Sequence, residues 1–353
     1  MRNGLSAVLI VKDGEAVIER CLKSIDEVDE IVVLINQTTD RSAEIARAYT
    51  SRVYIAPDDA VMVKTPDGES KFHFARARNL ALSYAREDWV VTIDADEVAH
   101  EGFVKKVRKI IKRYPDASGF NIKFIVSSQG GENPASLPRM KVFRRDAWEW
   151  KSRIHETLWP TKSPIKVLDL DTVVMEHLPV ENKEERSAQN LDLLRASVQE
   201  EPEYVRNSRQ LGMELFAREN YREALQWLEL YLSSGTGGAL DRSETMIHMA
   251  RCHSSIGVLF DALKYFDMAI AEAPMRRETY YYKSLALIKE AQLDQAIEAL
   301  EQCLAIPEKE KPDFYLNIEN IWSGTYPNEA LAFCRGQIEE AKKKLTERQV
   351  GSK

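Results

Sequence analysis

Two carboxylates separated by one residue, Asp94-Ala95-Asp96, follow directly on the apolar run Trp89-Val90-Val91-Thr92-Ile93. An extended segment delivers alternate side chains to one face, so Asp94 and Asp96 point the same way. Held that close, they repel each other unless a cation sits nearby. Oxygen donors suit Mg²⁺ or Mn²⁺, and either ion would complete its shell with waters and a substrate diphosphate. Carboxylates also cap helices, and the three-residue pattern alone does not separate the two roles. A second concentration of chemistry lies at 139–153, where six cations (Arg139, Lys141, Arg144, Arg145, Lys151 and Arg153) and three aromatics (Phe143, Trp148 and Trp150) fill fifteen positions. Guanidinium forks match phosphate and aromatic faces match the C–H faces of a sugar ring, so this stretch suits a sugar diphosphate. It also suits a nucleic-acid surface, or a hairpin with a solvated charged edge.

Such groups need a frame, and the first 180 residues supply a periodic one. Strands are expected at 5–11, 30–35, 53–55 and 89–93, with helices at 15–24, 42–49 and 74–85. Short apolar strands alternating with helices imply a mostly parallel sheet, in which ligands collect at the carboxyl ends of the strands. The residues with the best claim on chemistry are therefore those just after each strand: Lys12, Asp13 and Glu15, then Asn36 through Asp40, then Asp94, Asp96 and Glu97.

From about residue 185 the strand signal stops. Ala224, Ala262, Ala296 and Ala330 sit in similar contexts and are separated by 38, 34 and 34 residues. A 34-residue period is that of tetratricopeptide repeats. Twelve residues before the first three stand the small Gly212, Ala250 and Ser284, and four after them stand Leu228, Phe266 and Leu300. The longer first interval coincides with the loop Ser233-Ser234-Gly235-Thr236-Gly237-Gly238. Each repeat leaves an apolar face that only a neighbour can cover, so a solenoid is expected. The division expected is 1–185 for the α/β part, 186–204 for a linker helix and 205–353 for the repeats.

The whole composition limits the alternatives. Of 353 residues, 44% are hydrophobic and 30% charged, the recipe of a folded globular protein of about two domains. Lys+Arg 49 against Asp+Glu 56 gives a formal charge of -7, so no global positive field points to nucleic acid or a membrane surface. No run of 18 apolar residues suggests a membrane span. The four cysteines lack metal-like spacing, and no signal-peptide pattern precedes the first strand, so reduced thiols in a cytoplasmic protein are expected.

The ordered motifs carry a resemblance. Leu5-Ser6-Ala7-Val8-Leu9-Ile10-Val11-Lys12-Asp13-Gly14-Glu15, Cys21-Leu22-Lys23-Ser24, Thr38-Thr39-Asp40-Arg41-Ser42, Phe74-Ala75-Arg76-Ala77-Arg78-Asn79, Asp94-Ala95-Asp96-Glu97, Arg139-Met140-Lys141-Val142-Phe143-Arg144 and Arg153-Ile154-His155-Glu156 together resemble family-2 glycosyltransferases of the GT-A fold. These pass a sugar from a nucleoside diphosphate to an acceptor with inversion. With the repeats, the chain resembles the branch that includes lipopolysaccharide-core glucosyltransferases and some peptide S-glycosyltransferases. The resemblance implies an α/β GT-A (Rossmann-like) catalytic domain followed by an all-α tetratricopeptide-repeat solenoid, and a UDP-linked donor with Mn²⁺ or Mg²⁺. It implies Asp96 and His177 as metal ligands, Asp94 acting through the ribose or a water, and Arg78, Asn79 and Asp40 around the nucleotide. The composition of 139–153 places the cations Arg139, Arg144 and Arg153 at the diphosphate, and His155 is expected as an active-site wall or an acceptor contact. An inverting displacement needs a carboxylate base. Among Glu156, Glu97 and Glu176, the position of Glu156 on the acceptor side favours it. Two departures stand out: Ile35 where the family has an Asp, with Asn36 as the replacement acceptor, and Asp13-Gly14 where Asn-Glu is usual. The acceptor, whether glycan, lipid-linked, peptide or nucleic acid, stays open, as does a protein partner or self-association through the repeats. Transfer to modified nucleic-acid bases and an inactive repeat scaffold are the competing functions.

Overall fold

Leu5, Ala7, Leu9 and Val11 are buried against one layer of helices and Val8 against another, which is why β1 (Leu5–Val11) is an unbroken apolar run. The structure is a computed structural model and describes residues 4–64, 68–126, 135–178, 186–307, 321 and 325–350. The expected boundary at residue 185 and most of the irregular stretch before 138 lie outside the described residues. The chain forms two compact units, Met1–Glu201 and Pro202–Lys353.

After β1 the first unit continues with α1 (Ile18–Ser24), β2 (Glu30–Ile35), α2 (Ser42–Arg47), β3 (Val53–Ile55), α3 (Asp58–Val61), β4 (Met62–Lys64), β5 (Ser70–Phe72), α4 (Phe74–Tyr84) and β6 (Trp89–Thr92). Then come β7 (Glu97–Ala99), α5 (Phe103–Arg113), β8 (Gly119–Val126), β9 (Ala135–Arg144), β10 (Trp148–Lys151), β11 (Thr157–Pro160), β12 (Val167–His177) and α6 (Arg186–Glu200). The main sheet has the order β3-β2-β1-β6-β9-β8-β12-β7. Its β3-β2-β1-β6 portion is parallel, β9 runs antiparallel to both β6 and β8, and β7 runs antiparallel to β12. This is the α/β GT-A arrangement expected, with more antiparallel pairing than a repeating strand–helix pattern alone implies. The strand order reverses between β1 and β6, so a crevice opens at their carboxyl ends. One face of the sheet packs on α1, α2 and α5, the other on α3 and α4. On α5, Phe103, Val104, Val107 and Ile111 are buried while Lys105, Lys106, Lys109 and Lys112 are exposed.

The second unit is helical among its described residues: α7 (Arg206–Ala217), α8 (Tyr221–Ser233), α9 (Ala239–Ser255), α10 (Leu259–Glu272), α11 (Arg277–Lys289), α12 (Leu293–Ala305) and α13 (Thr325–Val350). The first six form three hairpins, the pattern of tetratricopeptide repeats. Ala224, Ala262 and Ala296 are fully buried at the same place in α8, α10 and α12, opposite the small residues of the preceding helix. Pro327 falls in the first turn of α13, where a missing backbone N–H is tolerated. No helix among the described residues is long and apolar enough to cross a membrane.

Gly212 shows why the small residue matters. A Cβ there would lie 2.6 Å from Leu228 Cγ and 3.2 Å from the Ala224 carbonyl oxygen. Gly212→Ala is therefore expected to lower stability by roughly 1–3 kcal/mol, measured by denaturant unfolding. Adding Leu228→Ala should give a double variant less destabilised than the sum of the two single changes.

Candidate active site

Three loops meet at the carboxyl ends of β1, β2 and β6. The first two are laced together: Asp13 Oδ1 accepts from Thr39 N at 2.8 Å, Asp13 N donates to Thr38 Oγ1 at 2.9 Å, and Gly14 N donates to Ser42 Oγ at 2.8 Å. Glu15 N donates to Asp40 Oδ2 at 2.8 Å, and Arg41 N returns a bond to Glu15 Oε2 at 3.0 Å. Asp13, Glu15 and Asp40 thus shape the rim. Burial works to raise the Asp40 carboxyl, but hydrogen bonds from Ser42 and Glu15 hold it below its ordinary value. Gly14 lets this rim approach the third loop, since a Cβ there would sit 3.4 Å from Ala95 Cβ. Lys12 is exposed beside it. Asn36, at the end of β2, is 4% exposed, and its Oδ1 is buried without a hydrogen-bond partner among the described residues.

Asp94 and Asp96 have different surroundings. Asp94 Oδ1 is 2.9 Å from Arg78 Nη2, and Oδ2 is 3.9 Å from Lys141 Nζ. Burial opposes its charge, but Arg78 and then Lys141 hold the carboxyl well below the usual range. Asp96 Oδ2 instead lies 3.2 Å from His177 Nε2. Pairing of β12 with β7 makes this contact possible by setting His177 opposite Glu97. The hydrogen bond to Asp96 raises the imidazole's pKa against the opposing effect of burial. Glu97 is buried with both oxygens on Lys141 Nζ, at 2.7 and 2.6 Å, and Oε2 accepts from Asp94 N at 2.9 Å. Burial is the main force on Glu97 and raises its pKa.

Arg78 joins the loop after β6 to the corner between β10 and β11. From α4 it donates through Nε to Glu156 Oε1 at 2.6 Å while Nη2 meets Asp94, and its guanidinium carbon stands 5.0 Å from the Trp150 ring centroid. Its two carboxylates raise its pKa further despite the opposing effect of burial. Glu156 Oε2 has no hydrogen-bond partner among the described residues. Asp94, Asp96, Glu97 and Glu156 are thus gathered around the two cations Arg78 and Lys141, with His177 on Asp96. No group of three or more His, Cys, Asp or Glu residues is arranged to hold a metal among the described residues. The Asp96–His177 pair is a two-donor set whose remaining ligands would have to come from substrate and water, which fits a divalent cation in charge and chemistry.

The other residues singled out by sequence are divided among different places. Asn79 donates from Nδ2 to the Trp150 carbonyl at 2.9 Å and accepts from Trp150 N at 2.8 Å, so its amide fastens β10 to α4. Arg139 is exposed, with its guanidinium 4.8 Å from the Phe124 ring centroid. Arg144 lies at the opposite end of β9, paired in register with Trp89 and bonded to the carbonyls of Ala117 and Pro115. Five extended residues span about 16 Å, so Arg139 and Arg144 do not serve one diphosphate together. Arg153 is fully buried on Glu200 and on the carbonyls of Val63 and Lys71, a framework position rather than a substrate-facing one. His155 is exposed with φ 54°. Asp13, Gln37 and Ser152 share such left-handed backbone in this unit, as Glu219 and Ala291 do between helices of the repeats. The sequence offers Lys141 only as one of six cations in the 139–153 stretch, without its place on Glu97 and Asp94. Its place on the same strand face as Arg139 is the signal that could have drawn it out.

Against this geometry, residues 6–166 match the family model Glycosyl transferase family 2. The N-terminal unit carries a glycosyl transferase family 2 domain. The chain is also similar to a TPR repeat-containing protein of Synechococcus elongatus, 25% identical over 287 residues that make up 76% of this chain and 66% of that protein. It is similar to the SPbeta prophage-derived glycosyltransferase SunS of Bacillus subtilis, 22% identical over 302 residues, 80% of this chain and 67% of SunS. Glycosyltransferase GlyG of Streptococcus pneumoniae matches over 161 residues at 24% identity, 42% of this chain and 50% of GlyG. The chain thus spans about two thirds of the length of the first two relatives, and this family domain is followed by repeats.

Two measurements separate framework from substrate contact. Arg153→Ala is expected to cost roughly 3 kcal/mol by breaking a buried ion pair, with nucleotide affinity little changed; an unchanged melting temperature with weakened nucleotide binding would reverse the assignment. Burial, aided by Arg153 and Arg76, lowers His73 from 6.5 to about 4, while its Nδ1 caps α4 by accepting from Arg76 N. Between those values the unfolded chain binds more protons than the folded one, so stability should fall as pH drops from about 6.5 towards 4, by up to about 3 kcal/mol from this group. Replacing His73 with Asn, which preserves a capping oxygen, should flatten the melting temperature's dependence on pH in that window.

Proposed function

We propose that the chain is an inverting, metal-dependent glycosyltransferase that moves a sugar from a nucleoside-diphosphate donor, UDP-linked, to an acceptor recruited by the repeat unit. The observation that carries this reading is Arg78 held between Asp94 and Glu156 beside the Asp96–His177 pair. It sets an acidic, cation-demanding pocket and a separate carboxylate on two sides of one crevice. Asp96 and His177 would hold Mn²⁺ or Mg²⁺. When bound, the ion would offset the charge of the departing diphosphate. Asn36 Oδ1, buried and unpartnered, offers an acceptor to an N–H of the nucleoside base. Arg139 offers an exposed cation for a phosphate oxygen. As the acceptor attacks the anomeric carbon opposite the leaving diphosphate, Glu156 Oε2 takes its proton, with Arg78 fixing the other oxygen of that carboxylate. Lys141 and Glu97 keep Asp94 in place below the donor. The four cysteines are free and buried, which suits the reducing cytoplasm we infer as the setting.

Glu156→Gln should lower sugar transfer by about 10²–10⁴-fold while the dissociation constant for donor stays within about twofold. Asp96→Asn should remove the Mn²⁺ dependence of nucleotide binding measured by calorimetry. Full transfer activity in Glu156→Gln would eliminate it as the base, and failure of a panel of nucleoside-diphosphate sugars to bind the unmodified chain with Mn²⁺ would eliminate the transferase reading.

A further inference from the structure

The Cys21-Leu22-Lys23-Ser24 motif lies on α1 rather than in the crevice, yet α1 reaches the backbone on both sides of the Asp96–His177 pair. Cys21 is fully buried and donates from Sγ to the Asp94 carbonyl at 3.3 Å. Ser24 Oγ accepts from Ala99 N at 3.0 Å while donating to the Cys21 carbonyl at 2.7 Å. The turn that carries Asp96 is therefore fastened to one helix before and after the aspartate. Arg20, next to Cys21, donates from Nη2 to the Leu178 carbonyl at 2.5 Å. Leu178 directly follows His177, and its own N–H donates to the Asp96 carbonyl at 2.8 Å.

Residues 20 and 24 are four apart and 21 and 24 three apart, so all three side chains leave one side of a single helical turn. Strand pairing alone gives the turn and His177 less support. β7 is three residues long, stands at the edge of the sheet, and pairs with the last residues of β12, ending at His177 opposite Glu97. Short edge ladders open locally at low cost. Arg20 closes the end of this one from outside the sheet. Its side chain is exposed, whereas the packed face of α1 consists of Ile18, Cys21 and Leu22, so losing the guanidinium leaves the core of the helix intact.

We propose that α1 is the positioning element of the metal pair, with Arg20 a positioning residue for His177. By gripping the Leu178 carbonyl, Arg20 keeps the imidazole at the distance from Asp96 at which both can meet one cation. Cys21 and Ser24 keep the Asp96 turn from moving away. This role rests on Asp96 and His177 being the protein's ligands to a divalent cation, as proposed above, and adds no ligand to them. Groups that orient ligands from behind are worth about 10–100-fold in metal affinity.

The test uses the full chain, first without metal and then with Mn²⁺. In amide hydrogen exchange followed by NMR, the Leu178 N–H should exchange about tenfold faster or more in Arg20→Met, while the Leu9 N–H of β1 stays within about twofold of the unmodified chain. Arg20→Lys can still donate to the carbonyl and should restore slow exchange. Calorimetric titration with Mn²⁺, with and without UDP, should give a dissociation constant raised by about tenfold or more in Arg20→Met and in Ser24→Ala, and nearly unchanged in Arg20→Lys. Unaltered exchange at Leu178, equal acceleration at Leu178 and Leu9, or undiminished Mn²⁺ affinity in either weakened variant would overturn the proposal. An unmodified chain that takes up no Mn²⁺ under either condition would overturn the metal reading itself and the role of α1 with it, a result distinct from Mn²⁺ binding that ignores Arg20.

Discussion

The first unit depends on one shared cation. Arg78 reaches Asp94 at the end of β6 with one nitrogen and Glu156, 78 residues further along, with another. At about 4 Å and an effective dielectric near 20, each such attraction is of order 4 kcal/mol before desolvation is counted. Neither carboxylate could be kept in the crevice by burial alone, because burial opposes its charge. A lysine could neutralise one of them, but it lacks the planar fork that reaches both while lying over Trp150. The position of Arg78 is set from behind: His73 caps the first turn of α4, and the amide of Asn79 locks the next turn to the backbone of β10. The geometry of the crevice is therefore largely a property of α4.

Much of this frame is legible in the sequence. The strands at 5–11, 30–35 and 53–55 coincide with β1, β2 and β3 because their residues are buried or paired along their length, and strand ends then point to the loops that matter. The cation-rich stretch at 139–153 was not resolvable by composition. Period-two alternation, a turn after Arg144 and a buried corner at Arg153 send its six cations to different destinations, from the Glu97 carboxylates to the last turn of α6. Asn79 was legible as important but not as a strand clamp, since its partner lies 71 residues away. His177 could be suggested only by resemblance, because its approach to Asp96 depends on β12 pairing with β7.

In the repeats the readable signal was spacing, which reports the contacts every repeat must make. Ala224, Ala262 and Ala296 recur because two helices approach closely at those points. Features that occur once have no period to betray them. The approach of Phe216, Arg251 and Tyr282 depends on three unlike residues on the first helices of successive hairpins, and only the folded chain brings them together.

The contacts of α6 bear on where this catalytic module can be separated from its neighbours. The family match ends at residue 166, yet Glu200 grips Arg153 and Glu201 accepts a hydrogen bond from Ser152 N at 3.0 Å, two residues ahead of the Ile154-His155-Glu156 corner. Lys71 of the β4–β5 hairpin also reaches back to Asp192 on the same helix. A fragment ending where the motifs end would leave a buried guanidinium without its counter-charge and the corner unsupported. The smallest transferable unit, for evolution by domain shuffling as for a designed chimera, accordingly runs through Glu201, with the helix leading into the repeats inherited as part of the active-site scaffold.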